Sequence, residues 1–384
     1  MISKMGGGLP ESYLEIRSYT QKFRSKQTKI SNYWTEEVKS MDYLFNATPE
    51  IVSRLRDHCH WISGVRSYDY KDHHKHDQQR FLTKFEQLKK ISNTLNPIYE
   101  PKKMGGFGFE ILGSLVNIDS LKFYESMIAL EKAKILKHLQ NLERPVIVEI
   151  GAGWGGFATA MKTILPNCQY IIVDLPETLI FSGTYLGELF PNNSRTYIEN
   201  LTINPTQDLV FCDHTVKELL KIDKVDLVIN MVSFQEMTSE QIRNYALWAQ
   251  SLNTDFFYSH NREKSKHNNE LDSVSKNLSI LGMYKKIQVL PVDYTVIDGS
   301  TYNKENHDLN SEKKGKLDQN KKFASVSFGI KKTVTKIARL LFYSIKIVFG
   351  IFGLNIKVTR SSRVKTSKSS YQHLVYFINE GVLK

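Results

Sequence analysis

The sequence predicts an α/β chain with a doubly wound, mostly parallel seven-stranded sheet and a helical N-terminal region. Three observations carry this. Short apolar runs alternate with helical stretches from residue 146 onward. The first run enters a glycine-rich turn that opens a helix. Several runs end in Asp, Asn or His, so polar groups collect at one end of the expected sheet.

Residues 11–100 read as helical, polar and aromatic, with YLEIRSYTQKF, YWTEEVKSMDYLF and PEIVSRLRDHCHWISGV. Thr48 is an expected N-cap, with Pro49 at the first helical position. Residues 102–114, KKMGGFGFEILGS, read as a loop because of their glycines. Residues 119–139 read as one amphipathic helix. The expected strands are 146–150, 170–173, 209–212, 225–230 and 255–259, then 286–296 and 371–379. Helices are expected between them, including 176–189 and 239–252.

With 41% hydrophobic and 24% charged residues, a mainly disordered or fibrous chain is excluded. Cys59, Cys168 and Cys212 give neither a disulfide framework nor a zinc spacing. The opening MISKMGGGLPESYLEIRS has no apolar core of a secretory signal, so a cytoplasmic protein is expected. The histidines of DHCHW (57–61) and DHHKHD (72–77) match no closed zinc pattern and read as solvated helix end and loop.

The net charge of +12 points to nucleic acid, a membrane surface or an anionic substrate. Residues 301–384 hold 17 Lys+Arg against 5 Asp+Glu, which accounts for all of it. The first 300 residues are neutral.

The segment VIVEIGAGWGGFATAM, residues 146–161, carries the chemistry. Glycines permit a tight turn and close approach of a ligand, and the helix start offers free N–H groups. Asp174 ends the next strand, where a carboxylate can accept both ribose hydroxyls of an adenosine-type cofactor. Gly151, Gly153 and Gly156 fit the pattern of nicotinamide enzymes. Gly151, Gly153 and Gly155 with Glu149 fit that of S-adenosylmethionine enzymes. Glu149 favours the second, because an acid can hold an ammonium group but sits badly beside a pyrophosphate.

Four blocks in order, VEIGAGWGGFATAM, YIIVDLPETLIFSGTYLGELFP, INMVSFQEMT and FFYSHNRE, resemble the sugar O-methyltransferases of bacteria. The resemblance covers about residues 105–265. It implies the class I methyltransferase fold, which is Rossmann-like, and S-adenosylmethionine as cofactor. It further implies that Glu149, Gly151, Gly153 and Gly155 hold the methionine part, Asp174 the ribose and Asp213 the adenine edge. The block from Asn230 to Glu236 would face the substrate.

Transfer to an alcohol needs a positioned base. Glu236 and His260 are the candidates, and Asn230, Gln235, Asn261 and Arg262 suit contacts to a sugar. No acid cluster demands a metal. The expected function is methyl transfer to a sugar hydroxyl in surface-glycan or glycosylated-metabolite synthesis. The alternatives are a nicotinamide oxidoreductase acting on a nucleotide sugar, a methyltransferase acting on RNA or a small metabolite, and a scaffold that kept the fold. Nucleic acid is disfavoured because Asn230 is followed by Met231, Val232 and Ser233, not by Pro-Pro-aromatic.

Residues 321–368 combine an apolar helical periodicity with lysines and arginines and no acid. The run 340–356 is short for a membrane span and contains Lys346. A helix lying on an anionic membrane surface is the expectation, which would put the protein peripherally at the inner face of the membrane. Packing on protein is the alternative. The expected organisation is a helical substrate-covering region at 1–115, a cofactor-binding core at 116–300, the basic apolar insertion at 301–370 and the last core strand at 371–384.

Overall fold

The structure, a computed structural model, describes residues 8–24, 30–71, 75–92, 94–199, 205–281, 285–290 and 371–378. The expected membrane-surface stretch 321–368 lies outside these residues. Among the described residues no helix is long and apolar enough to cross a membrane.

Strands β1 (Phe109–Ile111) and β2 (Ser114–Val116) form a hairpin. The main sheet contains β3 (Val146–Ile150), β4 (Gln169–Asp174), β5 (Arg195–Ile198), β6 (Leu209–Asp213), β7 (Val225–Met231), β8 (Thr254–Arg262), β9 (Lys285–Leu290) and β10 (Tyr371–Phe377). Their order is β5-β6-β4-β3-β7-β8-β10-β9. All pairs are parallel except those of β10, which runs antiparallel to β8 and β9. This is the mostly parallel, doubly wound sheet of the class I methyltransferase fold, with β5 added at one edge.

Successive residues of the strands enter different cores, as a two-residue repeat demands. Ile147, Tyr170, Ile172, Phe211 and Leu227 belong to one, and Val148, Ile171, Val173, Val210 and Val228 to the other. The first core also holds Tyr13, Ile16 and Tyr19 of the N-terminal helix Glu11–Gln21. Tyr19 ties that helix to the sheet: its hydroxyl donates to Ile198 O at 2.8 Å and accepts from Asp213 N–H at 2.7 Å. The second core is packed by the helix Ser239–Ser251, capped by Thr238.

Two elements depart from the expected pattern. The stretch 119–139 is two helices, Ile118–Lys132 and Ile135–Gln140, broken where Lys134 takes φ +63°. The first is buried almost all round, including Glu125 and Ser126. The glycine-rich stretch 102–114 contains β1 and leads into β2, so the hairpin replaces much of the expected loop.

Candidate active site

Strand β3 pairs with β4 on one side and β7 on the other. The chain therefore winds outward in both directions from β3, and the crevice beyond its carboxyl end is where such a sheet takes ligands. A cavity of about 530 Å³ lies there. Its wall includes Glu149, Gly151, Gly153 and Asp174 from the first strands, and Gln235, Glu236 and Arg262 from β7 and β8 onward.

The glycine loop is built by the sequence around it. Gly151, Gly153 and Gly155 all have left-handed φ, between +60° and +84°. At Gly151 a side chain is excluded twice. Its φ is +73°, and a Cβ would sit 2.1 Å from Ser233 Oγ. Asp174 holds the loop in place: Gly153 N–H donates to Oδ2 and Leu175 N–H to Oδ1, each at 2.8 Å. Each carboxylate oxygen keeps acceptor capacity for a ligand hydroxyl. Burial pushes this carboxyl up to about 6, although the N–H bonds oppose it.

Glu149 is 2% exposed, and Tyr170 donates its hydroxyl to Oε2 at 2.8 Å. Burial pushes its carboxyl up to about 8. A buried acid so disposed is returned to its ionised form by a cation beside it. An ammonium group fits that requirement; a pyrophosphate does not. Asp213 is fully buried and absent from the cavity wall, with Thr215 donating to its Oδ1. At that strand end His214 lines the cavity instead.

The turn after β7 is strained and held on every side. Val232, a β-branched residue, has φ +52°. Its N–H donates to His260 O at 2.8 Å. Ser233 N–H donates to Asn261 Oδ1 and Phe234 N–H to Asn230 Oδ1, both at 3.1 Å. Asn261 Nδ2 donates to Asn230 Oδ1 at 2.8 Å, and Asn230 Nδ2 to Ile150 O at 2.8 Å. The structure thus places Asn230 and Asn261 inside the framework of the turn. Neither lines the cavity.

The turn presents Glu236. Burial pushes its carboxyl up to about 8. Its backbone carbonyl accepts from Ser31 Oγ at 2.7 Å, so the N-terminal region is tied to it directly. Gln235 accepts the N–H of Arg262 through Oε1 at 3.0 Å. His260, the other expected base, is 0% exposed and outside the cavity wall. Its ring stacks on His373 at 3.9 Å, and Nδ1 is hydrogen-bonded to Ser126 at 3.0 Å. Burial and His373 hold its pKa well below the usual histidine value.

Sequence reasoning did not anticipate several cavity residues. Lys122 lines the cavity with Nζ 2.9 Å from Asp119 Oδ1. Tyr33, Trp34 and Tyr70 come from the N-terminal region, Trp154 from the glycine loop and Tyr371 from β10. The Asn117–Ser120 capping box marks the helix that carries Lys122. It does not reveal which way the lysine faces. Below them lies a buried cluster in which Arg56 bonds Glu100 at 2.7 Å and Asp119 at 2.8 Å, under the Trp154 ring.

No family model and no curated protein matches the chain. Several solved structures do, at low identity. YcgJ of Bacillus subtilis is 17% identical, with a TM-score of 0.29, over 43% of this chain and 74% of that one. The bifunctional kinase-methyltransferase WbdD is 14% identical, with a TM-score of 0.35, over 54% of this chain and 44% of that one. The mitomycin 7-O-methyltransferase MmcR is 9% identical, with a TM-score of 0.28, over 44% of this chain and 53% of that one. The chain thus spans about half the length of the latter two.

Proposed function

We propose that the chain is an S-adenosylmethionine-dependent O-methyltransferase that acts on a sugar hydroxyl. The observation that carries this is the sharing of one cavity by Glu149 and Asp174, which flank the glycine loop, and by the partly buried acid Glu236. Glu149 suits the ammonium group of the cofactor, and Asp174 suits its ribose. Neither suits the phosphates of a dinucleotide. The four sequence blocks support the same reading and add the sugar.

When bound, S-adenosylmethionine supplies a methyl group on a positively charged sulfur, which keeps the electron pair of the broken bond. The chain's own part is to align the acceptor oxygen and take its proton. Glu236 is the expected base that faces the cavity, and its raised pKa makes its carboxylate a better proton acceptor than an exposed one. Tyr33, Trp34 and Tyr70 give the apolar faces on which a sugar ring packs.

The test is a methyl-transfer screen of extracted glycans and sugar derivatives, read by mass spectrometry as a gain of one methylene, with S-adenosylhomocysteine binding measured alongside. Glu236→Gln should lower kcat by ~10²–10⁴-fold while binding of S-adenosylhomocysteine stays intact. A chain that binds no S-adenosylhomocysteine and yields no methylated product is not this enzyme.

A further inference from the structure

Among the described residues two Lys or Arg side chains line the cavity, and they are not in the same situation. Lys122 is held by Asp119, 2.9 Å away. Arg262, the last residue of β8, forms no ion pair among the described residues. Its Nε is buried without a hydrogen-bond partner. Its backbone is fixed by the bond from its N–H to Gln235. Its guanidinium lies over the Tyr371 ring, 4.4 Å from the centroid. An aromatic ring supports one face of a guanidinium and leaves the N–H groups in its plane for other partners.

Arg262 lines the cavity, so a ligand there can reach its side chain. The fork of a guanidinium matches the two oxygens of a carboxylate or phosphate far better than one hydroxyl. We propose that Arg262 receives an anionic oxygen group, phosphate or carboxylate, carried by the acceptor. The substrate class is then an anionic sugar derivative, not a neutral sugar. The inference deepens the methyltransferase reading and rests on it for the word acceptor. On the same wall Glu236 feels the Arg262 charge, which lowers its pKa against the push of burial.

The experiment is calorimetric titration of the full chain, saturated with S-adenosylhomocysteine, with glucose 1-phosphate, glucuronate and glucose. At least one anion should bind, and glucose should bind at least ~10-fold more weakly. Arg262→Gln should lower affinity for the binding anion by ~10–100-fold and leave glucose unchanged. Arg262→Lys should keep more of the phosphate affinity than of the carboxylate affinity, since it has charge without the fork. Which anion responds identifies the source of the charge. Unchanged S-adenosylhomocysteine affinity in the variants shows that they are folded. Equal binding of glucose and both anions, no anion binding at millimolar concentration, or full anion binding by Arg262→Gln overturns the proposal. If the wild type binds no S-adenosylhomocysteine, the methyltransferase reading falls by itself. The anion site is still read from the same titrations without it.

Discussion

Around Glu149 and Asp174 most of the cavity wall comes from residues 146–178, with Ile62 and His214 added, and its polar groups answer one another. Asp174 accepts two backbone N–H groups of that stretch, and Glu149 accepts Tyr170. Around Glu236 and Arg262 the wall is assembled from residues scattered between Ile30 and Tyr371. There, among the described residues, Arg262 forms no ion pair and its Nε is buried with no acceptor. The difference matches the two tasks that the proposed reading gives the halves. A wall that satisfies itself is shaped before its ligand arrives, as suits a cofactor common to many reactions. A wall with a cation that forms no ion pair among the described residues is completed by its ligand, as suits the proposed acceptor.

The strongest way to break this comparison is Asp174→Ala. It removes a charged acceptor from two backbone donors and, on the proposed reading, from the cofactor's ribose at once. Hydrogen bonds to a charged group contribute ~1.5–3 kcal/mol each. Affinity for S-adenosylhomocysteine should fall ~100-fold, about 2.7 kcal/mol. Calorimetry on a variant with native circular dichroism checks it. Binding equal to that of the wild type would mean that the loop does not depend on Asp174.

Gly151→Ala comes next, because it acts where the halves meet. The new Cβ requires a left-handed φ and would lie 2.1 Å from Ser233 Oγ on the acceptor side. A loss of ~2 kcal/mol in denaturant unfolding is expected, from the backbone and the clash together. Gly151→Ala with Ser233→Gly should recover the clash part and keep the backbone part. A double variant as unstable as the single one would show that Ser233 is not the obstacle.

What the sequence revealed follows the same division. The strand, glycine loop, helix and Asp174 are contiguous, so local pattern and spacing were enough to place them. Strand β5 was missed because only Ile198 of its four residues is buried, which leaves no apolar run to read. The break at Lys134 was missed because apolar periodicity continues through it, and periodicity does not report a single left-handed residue. Glu236 and Arg262 were legible as chemistry, and both face the cavity. Asn230 and Asn261 were legible as polar residues at strand ends, but not as the braces of the turn at Val232. That role depends on β7 and β8 lying side by side. Lys122 and Tyr371 gave no local signal, because they reach the site only through long-range packing.

The smallest effect compares Glu236 with Asp174 by pH. The unfolded chain releases the Glu236 proton near the ordinary value of 4.5, and the folded chain keeps it until about 8. Folding therefore retains a proton across that window, and this group's contribution to stability falls as pH rises through it. Glutamine cannot ionise. Glu236→Gln should match the wild type near pH 4.5 and exceed it near pH 8. Because Glu236 is partly exposed to the cavity, an advantage of roughly 1 kcal/mol is expected, or ~2–4 °C in Tm. Thermal melts of both proteins at the two pH values check the sign. Asp174→Asn should show no such gain, since its amide keeps one acceptor oxygen where Gly153 and Leu175 present two donors. A Gln variant no more stable than the wild type at pH 8 would mean that water reaches Glu236 freely. A Gln variant at position 236 and an Asn variant at position 174 with the same pH profile would mean that the two backbone N–H bonds to Asp174 do not set it apart from Glu236.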